Sequence, residues 1–338
     1  MKNTIKGLLI FLTLSAVSIL AVSLIYQSHP NFSNLTLQSI LIAAAIAISS
    51  LYFEIEKVRV IGLTIKTKIP FKAAAESVMG REFLSAITPF GGGGQPLEVF
   101  ILNKYGLKVG QAMTVAYLET FTTILILLVA GLTSLFLYRD VLESHAFKGF
   151  LIFSVGAMVY FFLFFYFSVF KPKILKKVSF FFINLLGKIK IIKKDTLYRA
   201  KKRVVKEIAI FNNHIKMSFK APWYLFVLLL LLTLIFWVIR FIAIYPIFLI
   251  LGSVKRLSLF KLLAYQMIIT FVNYFVFTPG SSGTTEWIGA ILFKPFLNNP
   301  DHISTFIVLW RFFSFHILVL FCGMVIFKVV KLFSQKKG

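Results

Sequence analysis

The chain has 338 residues, of which 59% are apolar types and 14% are charged, and its mean hydropathy is +0.88. These figures exclude an ordinary soluble domain and make a membrane the principal solvent. The formal charge of +25 does not point to nucleic acid, because the Lys and Arg residues lie between and beside apolar runs, where they report orientation and anionic headgroups. The single Cys322 sits inside an apolar run, which excludes a disulfide or a cysteine zinc site within one chain.

In chain order, apolar runs occur at about 8–27, 36–53, 111–137, 147–170, 223–250 and 303–327. Each is long enough to cross a hydrocarbon core of about 30 Å as a helix, the form that pairs its own backbone in lipid. The first follows Lys2 and Lys6 and is too long for a signal peptide, so it reads as a transmembrane helix. Two further apolar stretches, at about 73–102 and 259–296, are interrupted by Pro and Gly and predict paired short helices forming re-entrant hairpins. The expected fold is all-α and polytopic, a single transmembrane domain over 1–338 with about six full spans and two hairpins.

Between Lys171 and Lys220 lie fifteen Lys or Arg against Asp195 and Glu207, which places that segment in the cytoplasm by the positive-inside rule. Both termini then fall on the cytoplasmic side of a cell membrane, and Glu54 to Lys72 becomes an internal loop. Lys255, Arg256 and Lys261 fall on the external side, against the rule. Phe180, Phe181, Ile183, Leu185 and Leu186 interleave with the cations, so 171–220 reads either as amphipathic helices on the inner surface or as a solvated linker.

The two interruptions resemble each other. Thr88-Pro89 and Thr278-Pro279 begin segments that, at an offset of 190, share seven identities in twenty positions, among them Gly93 with Gly283 and Lys104 with Lys294. Three full spans separate the copies, so the repeats, about 73–137 and 259–327, face opposite ways across the bilayer. Such broken helices offer half-helix N-termini to an anionic group. The glycines Gly91, Gly92, Gly93 and Gly94 would let the backbone take positive φ and approach a ligand, with Gly280 and Gly283 as their counterparts. A tight hairpin tip is the purely structural alternative.

Ionisable residues are costly in apolar spans and cluster here around the hairpins. The candidate substrate-binding set is Gly91, Gly92, Gly93, Gly94, Gln95, Glu98, Glu119, Arg240, Thr278, Gly280, Ser281, Ser282, Gly283, Glu286 and Arg311, with Arg81, Glu82 and Asn273 as secondary candidates. Arg240 and Arg311 are suited to hold a phosphate through a bidentate fork, and Glu119 and Glu286 to pair with cations. Buried ion pairs that only lock helices together are the competing reading. Arg81 and Glu82, if close to an interface, would snorkel and carry no role. No metal-ligand spacing, nucleophile elbow or Walker loop is present, so neither a catalytic residue, a metal nor a cofactor is expected.

Pro89-Phe90-Gly91-Gly92-Gly93-Gly94-Gln95-Pro96, preceded by Glu82, and Thr278-Pro279-Gly280-Ser281-Ser282-Gly283-Thr284-Thr285-Glu286 resemble the lysylphosphatidylglycerol synthase transmembrane, or flippase-like, family. The resemblance implies the membrane half of an aminoacyl-phosphatidylglycerol synthase, which moves the aminoacylated lipid between leaflets while a separate soluble domain performs the transfer. That soluble domain is not expected here, so no enzyme activity is inherited from the family name. The resemblance implies a translocase for a phospholipid or a lipid-linked glycan carrier. A transporter of a small soluble anion or osmolyte, an enzyme of lipid-linked sugars, and a scaffold recruiting a partner through 171–220 remain open beside it. Expected partners are membrane lipids, with a homo-oligomer and a separate synthase or other partner protein as further candidates.

Overall fold

The computed structural model describes residues 29–33, 35–139, 145–188, 194–251, 258–297, 299 and 302–335, with scattered positions between Thr13 and Gln27. Among the described residues every regular element is a helix and no strand occurs. The span expected at 8–27 falls largely outside them, although the positions described from Thr13 to Ile25 are helical.

Helix α1 covers Leu37–Thr64 and starts at Thr36, whose hydroxyl accepts the Ser39 amide at 3.2 Å and satisfies one of the orphan donors of the first turn. Its 28 residues make it about 42 Å long at ~1.5 Å per residue, longer than the apolar core it would cross. The expected end at 53 is therefore corrected to Thr64, and the first part of the expected internal loop is helix. Glu54 and Lys57 are buried in it one turn apart, joined at 2.7 Å, so a local ion pair carries the helix through residues that a hydropathy window rejects.

Helix α2 (Phe71–Ile87) ends where Pro89 forces Thr88 into an extended conformation, with φ −117° and ψ 146°. A single 3-10 turn follows at Pro89–Gly91, and α3 (Gly94–Lys104) returns along α2. The long apolar α4 (Val109–Leu137) comes next, then α5 (His145–Phe170), α6 (Pro172–Lys188) and α7 (Lys194–Phe219). The basic segment is thus two helices. The second is amphipathic, burying Ile208, Phe211 and Ile215, and packs on α4, where the Gly110 amide donates to Glu207 at 2.8 Å.

Helix α8 (Trp223–Ile242) leads through a short break into α9 (Tyr245–Leu251). The second hairpin consists of α10 (Leu259–Asn273), a 3-10 turn at Pro279–Ser281 and α11 (Thr284–Phe293). The chain closes with α12 (Ile303–Arg311), a π turn at Phe312–His316 and α13 (Ile317–Gln335).

Among the described residues five helical stretches are long and apolar enough to cross a membrane: Leu37–Thr64, Val109–Leu137, Lys148–Phe170, Trp223–Leu251 and Ile303–Phe327. Large apolar side chains such as Ile152, Tyr160, Leu163, Trp223 and Leu231 stand exposed on them, as lipid-facing residues do. Two apolar cores hold the helices together. One gathers around α1 to α4, and the other around α10, α11 and α12. Helix α13 packs on α2, α8 on α1 and α10 on α4, so each hairpin is clasped by long helices.

Candidate functional site

The two hairpin tips share a backbone path. Thr88 and Thr278 are both extended, and the prolines after them open 3-10 turns whose next two residues lie in the left-handed region: Phe90 and Gly91 at φ 55° and 63°, Ser281 and Gly280 at φ 53° and 61°. The same hydrogen bonds close both, from the Gly91 amide to Thr88 O at 3.2 Å and from the Ser281 amide to Thr278 O at 2.9 Å. The return helices begin at Gly94 and Thr284, again 190 residues apart. Each turn places one glycine where positive φ is free, yet in different slots, so Phe90 and Ser281 bear a conformation that L residues avoid.

The four-glycine run is corrected in consequence. Only Gly91 needs positive φ. Gly92 and Gly93 are right-handed, with φ −64° and −83°, and Gly94 opens α3 against α2, where a Cβ would collide with the Ser85 hydroxyl and stand 2.8 Å from the Arg81 carbonyl oxygen. The run thus combines a positive-φ turn residue, Gly91, with close packing at Gly93 and Gly94.

The tips meet. The rings of Phe90 and Phe277 lie 6.2 Å apart, and beside them opens a partly enclosed cavity of about 360 Å³. Both hairpins contribute to its wall, through Arg81, Glu82, Gly91 and Gln95 from the first and Asn273, Thr278, Gly280 and Ser281 from the second. Arg240 and Arg311 enter from α8 and α12, and Phe236, Trp237, Trp310 and Phe315 supply an aromatic side.

Arg81 is the hub of the charges, with its side chain only 15% exposed. It reaches Glu54 at 2.7 Å, Glu119 at 2.9 Å, Glu82 at 3.2 Å and Glu98 at 3.8 Å. The expectation that Arg81 and Glu82 snorkel to an interface is corrected: α2 packs against α1 and α3, and Glu119 of α4 pairs with Arg81, which together enclose the guanidinium. Lys57, fully buried, joins Glu54 and stands 4.0 Å from Glu119. Arg240 extends the chain of charges, meeting Glu82 at 3.1 Å and donating from Nε to the Ser314 carbonyl at 3.1 Å, with its guanidinium over the rings of Phe236 and Trp237. Cation–π contact and the fork together orient that planar group.

The second hairpin has its own ionic lock. Arg311 donates from Nε to Glu286 at 2.7 Å and from a terminal nitrogen to the Gly280 carbonyl at 2.8 Å, while Glu286 accepts the Gly283 amide at 2.7 Å. Glu286 thereby caps α11 and ties the turn to α12. Of the remaining candidates, Gly92, Gly93, Gly94, Glu98, Glu119, Ser282, Gly283 and Glu286 do not line the cavity. Ser282 is buried, and Glu98 and Glu119 lie behind Arg81 in the ionic cluster. Gln266 is a strut, donating to the Phe241 carbonyl and accepting the Trp310 indole. Asn273 faces the cavity buried, with neither side-chain polar atom hydrogen-bonded among the described residues.

Glu54 and Lys57 escape the sequence reading, although opposite charges three residues apart inside Glu54-Ile55-Glu56-Lys57-Val58 continue the phase of the span before them and could have signalled a buried pair. The aromatic wall of Phe236, Trp237 and Phe315 gives no signal in a sequence with 40 phenylalanines.

A helical chain with five stretches of crossing length, arranged around a buried ionic cluster and a cavity, defines a polytopic α-helical membrane protein with a polar interior site. More particularly, it belongs to the family described as the lysylphosphatidylglycerol synthase TM region, whose model matches residues 5–322. It is also similar to a UPF0104 membrane protein of Archaeoglobus fulgidus, 28% identical over 264 residues that make up 75% of each chain.

Proposed function

We propose that the chain is a lipid translocase that passes the headgroup of an anionic or zwitterionic phospholipid, or of a lipid-linked glycan carrier, between the leaflets of the cell membrane. The observation that carries this reading is the cavity at the meeting point of the two hairpin tips. It offers the guanidinium groups of Arg240 and Arg311 beside an aromatic wall, inside a bundle of apolar helices. A phosphate matches the remaining N–H donors of the two guanidinium groups, the amide of Asn273 matches a neighbouring hydroxyl or amine, and the acyl tails stay in the bilayer. Three of the five crossing-length stretches separate the hairpins, which supports opposite orientation and alternate opening of the two sides. The basic helices α6 and α7 would then rest on the cytoplasmic face.

The test is reconstitution into vesicles carrying tail-labelled fluorescent phosphatidylglycerol. Purified protein is expected to accelerate transbilayer movement, Arg240→Ala to slow it about 10-fold or more, and Arg240→Lys to restore it in part, a loss of ~1.5–3 kcal/mol for a charged hydrogen bond. Movement at the rate of protein-free vesicles would refute the proposal, and uptake of a water-soluble anion in its place would favour a soluble-anion transporter.

A further inference from the structure

The ionic cluster is short of positive charge. Among the described residues four carboxyl groups, of Glu54, Glu82, Glu98 and Glu119, meet three cations, Lys57, Arg81 and Arg240. Glu54 takes Lys57 and Arg81, both at 2.7 Å. Glu82 takes Arg81 at 3.2 Å and Arg240 at 3.1 Å. Glu119 has Arg81 at 2.9 Å, off the line a hydrogen bond needs. Glu98 is left over. It is fully buried, its closest cation is Arg81 Nε at 3.8 Å, and neither of its oxygens finds a hydrogen-bond donor.

The charged groups around Glu98 are Glu54 and Lys57 on α1, Arg81 on α2 and Glu119 on α4, with Glu82 beyond Arg81. Glu98 and Glu119 both approach the Arg81 guanidinium, at 3.8 and 2.9 Å, and none of their four carboxyl oxygens finds a hydrogen-bond donor among the described residues. Two carboxylates gathered on one guanidinium repel each other, and an ionised carboxylate enclosed without a partner costs several kcal/mol. We propose that Glu98, the carboxyl group of this cluster with no close cation and no donor, holds an exchangeable proton, so that the proton is a second ligand of this site.

This inference rests on the translocase reading for its use but not for its chemistry. Binding is a plain proton equilibrium, in which a carboxylate and a proton from water form a carboxylic acid, with access from the cavity past Arg81. A headgroup phosphate that draws Arg81 or Arg240 toward itself removes positive charge from the glutamates and raises their affinity for the proton. By reciprocity the proton strengthens phosphate binding to the same degree, which couples lipid movement to a proton gradient.

The experiment is infrared difference spectroscopy of the purified full-length protein in vesicles across a pH titration, with exchange into heavy water. At neutral pH the wild type is expected to show the carbonyl band of a buried carboxylic acid. Glu98→Gln should abolish it, and Glu98→Asp should retain it at a shifted position. Absence of the band from the wild type overturns the proposal without recourse to a variant, and so does full persistence in Glu98→Gln. In vesicles with tail-labelled phosphatidylglycerol, an imposed pH gradient should change the wild-type rate several-fold and leave the rate of Glu98→Gln indifferent to the gradient. An equal response of both proteins overturns the coupling. A band that vanishes in Glu98→Gln, with no lipid movement in any vesicle, upholds the proton site while refuting the translocase.

Discussion

At the scale of single residues, the glycines of the first hairpin differ in what they are for, and substitution separates them. Gly91→Ala is expected to cost about 1–2 kcal/mol through its left-handed backbone, and Gly92→Ala to stay within about 0.5 kcal/mol. Gly94→Ala should be worst, at about 1–3 kcal/mol or more, because its neighbour at 2.8 Å is the backbone carbonyl of Arg81 and cannot turn aside. Thermal melting in detergent gives the order, and a Gly92→Ala protein less stable than Gly94→Ala would contradict it. Lys57→Met is expected to destabilise by about 3–5 kcal/mol, because it takes one of the two cations from Glu54 and deepens the shortage of positive charge in the buried cluster, and Glu54→Gln added to it to recover part of the loss, as read from the same melts. A sequence shows that glycines are present but not which φ each adopts, so it does not tell Gly91, which takes positive φ, from Gly93 and Gly94, which leave no room for a Cβ.

At the scale of elements, the Pro and Gly breaks at 88–94 and 278–284 are legible because a proline fixes the conformation of the residue before it whatever the tertiary context. The extent of α1 is not. A hydropathy window stops at the first charge, whereas the helix continues as long as each charge finds a partner, and the partners of Glu54 include Arg81, 27 residues away. The amphipathic pattern of 171–220 is readable by contrast, and two helices result. The lock on the second hairpin is an element-scale device, since Arg311 sits at the junction of α12 with the π turn and holds both Glu286 and the Gly280 carbonyl. Arg311→Ala is therefore expected to speed amide hydrogen exchange across residues 280–286 by tenfold or more while leaving α2 protected. Uniform exchange over both hairpins would show that the lock does not govern the tip.

At the scale of the molecule, composition alone makes this a membrane protein, and an offset of 190 residues makes two hairpins from one pattern. Their meeting is a tertiary fact, brought about by α13 on α2, α10 on α4 and the long helices between, and only the three-dimensional arrangement puts Arg81, Arg240 and Arg311 around one cavity. The rings of Phe90 and Phe277 mark the contact at 6.2 Å. The most direct measurement replaces both with cysteine in a Cys322→Ser background, bridges them in the membrane with a short bifunctional reagent, and follows lipid movement before and after reductive release. Efficient cross-linking that stops translocation reversibly is the expected result. Failure to cross-link, or translocation undisturbed by the bridge, would contradict convergence of the tips on the path of the headgroup.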